Sequence, residues 1–363
     1  MGRWRVDADT LAGSRFVLSP LAETVAALKT LHGGTGAHPG ERRWLAAALP
    51  RYRERLAADP VAAALVRTAL GPRWNATFLT PTPGAAAPMP DGTALFAREL
   101  AEVRATPPAV VRADLAEALG AADESALPSP LLGHQDLAGH AAELLSWVWT
   151  ETVAPDWPRR RRIIEADILA RTARLGTGGW AEALDDLRPG MRWLGGDGLR
   201  TGAEPAADPA AEPRELTAAE LLFVPVTPGR SWLCWDMPAV DGRRLRPGRR
   251  YAVVYPCSGV LVDEDTRPAP EALAALLGRG RADLLALLDP PKTTSQLVAL
   301  TGLPLGSVGR HLRILREAGL ALRRRAGRSV LYHRTAAGQV LLDAPPPGAQ
   351  TPGTDGSAGS AGS

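Results

Sequence analysis

The chain has 363 residues, 45% apolar and 22% charged, with a formal net charge of +3. That length predicts two or three domains, and that composition excludes wholesale disorder. No apolar run approaches a membrane span, and the opening MGRWRVDADT lacks the apolar stretch of a secretory signal. Cys234 and Cys257 are too few for a disulfide framework or a zinc site built from cysteines. A cytoplasmic protein without membrane contact is expected.

Lys29 and Lys292 are the only lysines, so the wealth of arginine, beside abundant Ala, Gly and Pro, reflects GC-rich codons before it reflects function. The placement of charge is more informative. Between Gly278 and Leu342 ten Arg and Lys292 stand against Asp283, Asp289 and Glu317, a net of +8; the whole chain carries +3, so the remainder sums to −5. A basic segment on a neutral or acidic body is the electrostatic footprint of a module that meets a polyanion.

In chain order, WRV predicts a short strand and Asp7 to Gly13 a brief helical piece. Leu21, Val25, Leu28 and Leu31 recur at helical spacing, and Pro20 behind Ser19 suits a helix start. Further helices are predicted over Glu41–Ala58, Pro60–Leu70, Thr93–Ala105, Val110–Leu119, Gly133–Thr150, Pro158–Leu175 and Trp180–Leu187, with a Pro- and Gly-rich loop over Pro81–Gly92. From Arg188 the character changes. MRWLGGDGLRT predicts two strands around a Gly-Asp-Gly turn, and AELLFVPVT, RSWLCWDM and RRYAVVYPCSGV have the aromatic and β-branched bias of strands. Thr201 to Pro213 reads as a surface loop, and the pattern turns helical again at Pro268.

The expected fold class is therefore α+β. A mostly helical N-terminal domain occupies 1–187, a small antiparallel β-sheet region 188–265, a C-terminal winged helix-turn-helix 266–343, and a disordered tail 344–363.

The winged helix rests on local signals. Thr293-Thr294-Ser295-Gln296 is a capping box, and Gly302 can take the left-handed conformation that stops the helix it opens. A second helix follows within a few residues, the order of a helix-turn-helix. On its wheel Val308, Leu312 and Leu315 lie within about 40° of one axis, and Arg310 and Arg313 lie roughly opposite. The small residues Gly306, Ser307 and Gly309 let the start of that helix approach a groove floor. Gly319 then leads into a hairpin in which Leu320, Leu322, Val330 and Tyr332 are expected to turn inward, with Arg323, Arg324, Arg325, Arg328 and Arg334 along it. A basic hairpin directly after such a helix is a wing.

The stretch from Leu276 to Leu342, above all HLRILREAGL followed by GRSVLYHRT, resembles the winged helix-turn-helix of ArsR-type transcriptional regulators. More loosely, RFVLSPLAETVAALKTL and VVYPCSGV resemble the long N-terminal extension of a set of such regulators from GC-rich bacteria. The resemblance implies a dimeric DNA-binding repressor. Two positions depart from it: Gly309 stands where members often carry Ser, and Pro304 where a capping Ser is common. Metal sensors of the family place cysteines on the first helix of the motif, or Asp and His on a terminal dimer helix; TTSQLVALTG and TAAGQVLLD supply neither, so no metal and no cofactor is expected.

The residues expected at DNA are Thr293, Thr294, Ser307, Arg310, Arg313, Arg323, Arg324, Arg325 and Arg328, with the helix arginines reading base edges and the wing meeting phosphate. The plainer reading of these arginines is a solvated surface; the hairpin and the local charge favour contact. His311, about 60° off the apolar axis, is expected to pack inside the domain. Asp136, His140 and Glu143 share a helical face and could hold a metal, but a hydrogen-bonded surface is the commoner outcome. Cys234 and Cys257 are either buried thiols or a redox pair, and the central Trp147, Trp149, Trp157, Trp180, Trp193, Trp232 and Trp235 are core, or partly the lining of an effector pocket between helices and sheet. Asn75-Ala76-Thr77 matches a glycosylation acceptor, which is void without secretion.

No phosphate-binding glycine loop and no GxSxG elbow is present, so no enzyme is expected. The expectation is a sequence-specific transcriptional regulator with double-stranded DNA, a second copy of itself and a small-molecule effector as partners. The rival is a metabolite-binding or enzymatic body that uses the winged helix for protein interaction.

Overall fold

Arg3, Trp4, Arg5 and Val6 alternate between solvent and interior, the period-two pattern of a half-buried strand. In the computed structural model they form β1 (Arg3–Val6); the residues described are 3–37, 39–71, 74–84, 91–121, 123–185, 187–202, 213–236, 239–240, 243–244, 250–257, 269–289, 291–326 and 329–344. Asp7 opens α1 (Ala8–Gly13) by accepting from the Thr10 amide at 2.7 Å, and β2 (Arg15–Phe16) follows. α2 (Pro20–Gly33) has Pro at its first position, Ser19 Oγ accepting from the Ala22 amide at 3.0 Å, and Gly34 closing it at φ 62°. It is buried on nearly every side. Around it run α3 (Pro39–Ala57), α4 (Pro60–Ala69), α5 (Gly92–Arg104), α6 (Pro108–Leu119), α7 (Ser129–Leu132) and α8 (Leu137–Val148), with α3, α5 and α8 packed directly on it. A π turn (Trp149–Val153) and a 3-10 turn (Ala154–Asp156) lead into α9 (Trp157–Leu184), which Gly179 breaks at φ 67°, ψ −168°.

β3 (Met191–Gly195) and β4 (Gly198–Thr201) form the expected hairpin, and β5 (Arg214–Leu216), β6 (Glu220–Val226), β7 (Trp232–Trp235), β8 (Ala239–Val240), β9 (Arg243–Arg244) and β10 (Arg250–Pro256) follow. One sheet has the order β3-β4-β1-β5 and the other β2-β6-β10-β7, while β8 and β9 pair with each other. The α+β class holds, but the β-rich region is not an antiparallel sheet: β5 runs parallel to β1, and β6 runs parallel to both β2 and β10. The reason lies in LLFVPV and YAVVY. Such unbroken apolar runs belong to strands covered on both faces, where parallel pairing is at home. Leu222, Val224, Ala252 and Val254 pack against the helices, whereas Leu221, Phe223, Tyr251, Val253 and Tyr255 pack with Trp4, Leu184 and Leu199 on the other side.

Helices and sheets thus share cores, and the division expected at 187/188 runs through them. Buried polar groups pin α9 to this body. Arg160, fully buried, donates from Nη1 to Glu23 Oε1 at 2.6 Å and to Thr227 Oγ1 at 3.1 Å. Asp167 Oδ2 accepts from Arg171 Nε at 3.0 Å and from the Tyr255 hydroxyl at 2.9 Å. Among the described residues no helix is long and apolar enough to cross a membrane. The expected tail lies outside the described residues except for Ala344, as does most of the loop expected over Thr201–Pro213.

Candidate nucleic-acid interface

After residue 269 a further apolar core forms, centred on Leu284, Leu285, Leu297, Val308, Leu312 and Leu315 and joined from α9 by Ala166. α10 (Glu271–Leu277) and α11 (Arg279–Leu287) precede α12 (Thr294–Thr301). The capping box is present: Gln296 N donates to Thr293 Oγ1 at 3.2 Å, and Thr293 N donates to Gln296 Oε1 at 2.6 Å. Gly302 at φ 69° stops the helix. α13 (Leu305–Glu317) starts at Pro304 without a side-chain cap, and the Pro304 carbonyl accepts from the Ser307 and Val308 amides at 2.9 and 3.1 Å. Gly319, at φ 71°, turns the chain into β11 (Ala321–Ala326), which pairs antiparallel with β12 (Ser329–Arg334), and α14 (Ala336–Asp343) ends the domain.

On α13 the stripe falls as expected. Val308, Leu312 and Leu315 are buried, while Arg310 and Arg313 are exposed. Arg313 lies 3.9 Å from Glu317, an exposed pair of the kind that contributes little and leaves the guanidinium available. Arg316, which the sequence reading did not single out, is exposed one turn further on. Ser307 is half-buried, and positions 306 and 309 face open space, with no atom within 4 Å of where a Cβ would stand.

Arg323, Arg324 and Arg325 are exposed along β11; Arg328 lies outside the described residues. Of the four wing residues expected inward, Leu320, Val330 and Tyr332 lie on the core side and Leu322 does not. Residues paired across an antiparallel ladder share a face, so Ala321, Val330 and Tyr332 lie on the core side, whereas Leu322 pairs with His333 and is 47% exposed. Leu320 enters the core from the preceding turn, before the alternation begins, which shifts it by one residue. Thr293 is buried at the cap and Thr294 half-buried beside it. Arg334 braces the domain: Nη2 donates to Asp289 Oδ2 at 2.8 Å and Nη1 reaches the Leu285 and Ala286 carbonyls at 3.4 Å. Lys292 exchanges backbone hydrogen bonds with Tyr332, adding a rung beside the wing. His311 packs against Gly280, and burial, with Arg281 and Arg310 nearby, lowers its pKa.

The other residues flagged in the sequence separate. Asp136 caps α8 and His140 Nε2 lies 3.0 Å from the Asp59 carboxylate; among the described residues no three His, Cys, Asp or Glu side chains gather as a metal group would require. Cys234 and Cys257 are both buried. Cys234 pairs across with Ala252, so Cys257 lies about 16 Å further along β10, far beyond the reach of a disulfide. The tryptophans disperse: Trp149 stacks on Phe96 at 4.6 Å and meets Trp157 at 5.2 Å, Trp180 packs on Phe223, and Trp235 on Trp74. Trp232 lines a cleft.

Two apposed helices on a common apolar core, the second with an outward arginine face, and a basic antiparallel wing beside it define a winged helix-turn-helix of the DNA-binding type. Residues 284–321, from α11 to the start of β11, match the family model of the bacterial regulatory proteins of the arsR family. The chain therefore carries the DNA-binding segment of an ArsR-type transcriptional regulator behind a long N-terminal extension. No curated protein matches the chain, and no solved structure does.

Proposed function

We propose that the protein is a sequence-specific, homodimeric repressor whose N-terminal body senses an effector and does not catalyse. The observation that carries the reading is the arginine face of α13, held outward by the buried stripe Val308, Leu312 and Leu315 and flanked by the exposed Arg323 to Arg325. Arg310 and Arg313 read base edges in the major groove, Ser307 and Thr294 contact the backbone near the helix start, and the wing neutralises phosphate. A second copy is supported by apolar residues left in solvent on the first and last helices of the domain, Leu276 at 72% and Val340 at 68% exposed. Two copies present two α13 helices to successive major grooves of an inverted repeat. An effector releases DNA only by binding one of two dimer geometries more tightly than the other.

The test is titration of a fragment from the protein's own promoter at several salt concentrations. A steep fall of affinity with salt and one preferred sequence are expected. Absence of binding at low salt overturns the reading. Arg310→Ala relaxes base preference, whereas Arg324→Ala weakens binding on all sequences alike.

A further inference from the structure

A cleft of about 190 Å³ opens where α2, the segment after α4 and the start of β7 meet, with Lys29, Trp74, Asn75, Arg188, Ser231 and Trp232 in its walls. Its charge is one-sided. Lys29 Nζ donates to a neutral oxygen, Asn75 Oδ1, at 2.8 Å and lies 5.3 Å from the centre of the Trp232 ring. Among the described residues no carboxylate pairs with Lys29 or Arg188. Nε and Nη1 of Arg188 and the indole N–H groups of Trp74 and Trp232 are buried donors without an acceptor. Arg230 adds positive charge nearby but is turned to Thr30 and Thr35.

Buried donors nearly always find acceptors, because leaving one unpaired costs about 1–3 kcal/mol. Two cations without a carboxylate partner among the described residues, Lys29 and Arg188, line one cleft, so the site lacks an anion. The strain on the cations agrees: burial, then Arg230 and Arg188, pull Lys29 down to about 8, and burial lowers Arg188. A carboxylate offers two oxygens with about four acceptor positions, enough to serve the Lys29 ammonium and the Arg188 guanidinium together. A dry cavity of roughly 150 Å³ holds benzene, so this cleft has room for one ring and a small charged head. Trp74 and Trp232 are among the residues that line the cleft and give it apolar surface.

We propose that this cleft binds a small aromatic carboxylate, with the carboxylate held by Lys29 and Arg188 and the ring seated against Trp232. The site needs no assumption about DNA. If the regulator reading also holds, this is the place its effector occupies.

The test uses the full chain and benzoate as the probe. Benzoate should quench or shift tryptophan fluorescence in a saturable manner. Benzamide, the same shape without the charge, and inorganic phosphate, the charge without the ring, should bind at least about tenfold more weakly. Benzoate should also protect Lys29 from acylation, and since the only lysines are Lys29 and Lys292, mass spectrometry assigns the protected site directly. Lys29→Met and Arg188→Met should each weaken benzoate by about tenfold or more while melting as folded proteins. Benzamide binding as tightly as benzoate, phosphate binding more tightly, unaltered binding in both variants, or no saturable binding would each overturn the proposal. If a variant fails to fold, the comparison of probes and the protection of Lys29 in the unaltered chain still decide. None of these readouts contains DNA, so failure of the regulator reading leaves them intact.

Discussion

Glu99 is 7% exposed and accepts the Leu21 amide at 2.9 Å, so a carboxyl group helps close the first turn of the most buried helix. Burial outweighs that hydrogen bond, the one from Ser19 and the neighbouring Arg98, and with Glu102 also opposing ionisation it raises the group from an ordinary 4.5 to about 7. The sign follows: below about 4.5 both states hold the proton, and above it the unfolded chain releases it first. Stability is therefore lost between pH 4.5 and about 7, by on the order of 3 kcal/mol from this group. Urea titrations across that window should show Glu99→Gln, which keeps the acceptor, with a flatter pH dependence than the parent; equal slopes would refute the assignment. Arg160 raises a different question, because Glu23, equally buried, also accepts from Thr227 N at 2.7 Å. Arg160→Met leaves that carboxylate without its cation and should cost about 3–5 kcal/mol. Glu23→Gln combined with Arg160→Met should cost clearly less, a non-additivity that a double-mutant cycle in urea measures.

At the scale of elements, α9 contains an informative pair of glycines. Gly179 has φ 67° and ψ −168°, a region only glycine occupies freely, yet open space surrounds its would-be Cβ. Gly179→Ala should therefore destabilise by about 1–3 kcal/mol through backbone strain alone. Gly176→Ala, in open space with no positive φ, should be neutral or stabilising by up to about 1 kcal/mol. Thermal melts of the two variants compare strain with propensity on one helix. The break itself was legible, since separate helices were expected to end at Leu175 and begin at Trp180. So were the capping box, the stop at Gly302 and the stripe of α13, because each is a signal carried by neighbours in sequence. Pairing of β6 with β10 was not legible, since an apolar run states that both faces are covered but not which strand lies beside it. Leu322 was misplaced because a turn that consumes one residue more inverts the faces of a strand. Lys29 and Arg188 belong to no motif, and only the tertiary fold brings them to one cleft.

Under the proposed function an event in the body must reach α13, and among the described elements α9 packs both on the body and on α12, the helix beside α13. The α9 residues Arg160, Asp167 and Arg171 fall within about 20° of one direction on the wheel and face the body. Ala166 lies roughly 120° away from them. It is 2% exposed and belongs to the C-terminal core, with α9 packed on α12. Beyond its break α9 ends at Leu184, and the next few residues deliver Arg188 to the cleft. A small side chain at 166 lets α9 and α12 approach closely, and this contact couples two bodies that otherwise have their own cores. Ala166→Glu places an unpaired charge in that contact, where Ala166 joins the C-terminal core. The expected result in calorimetry is one cooperative transition for the parent chain and two separated transitions for the variant, with DNA affinity retained by the winged helix. A variant that still unfolds in one step would show that another contact couples the halves, and α9 would lose its role as the route between cleft and reading helix.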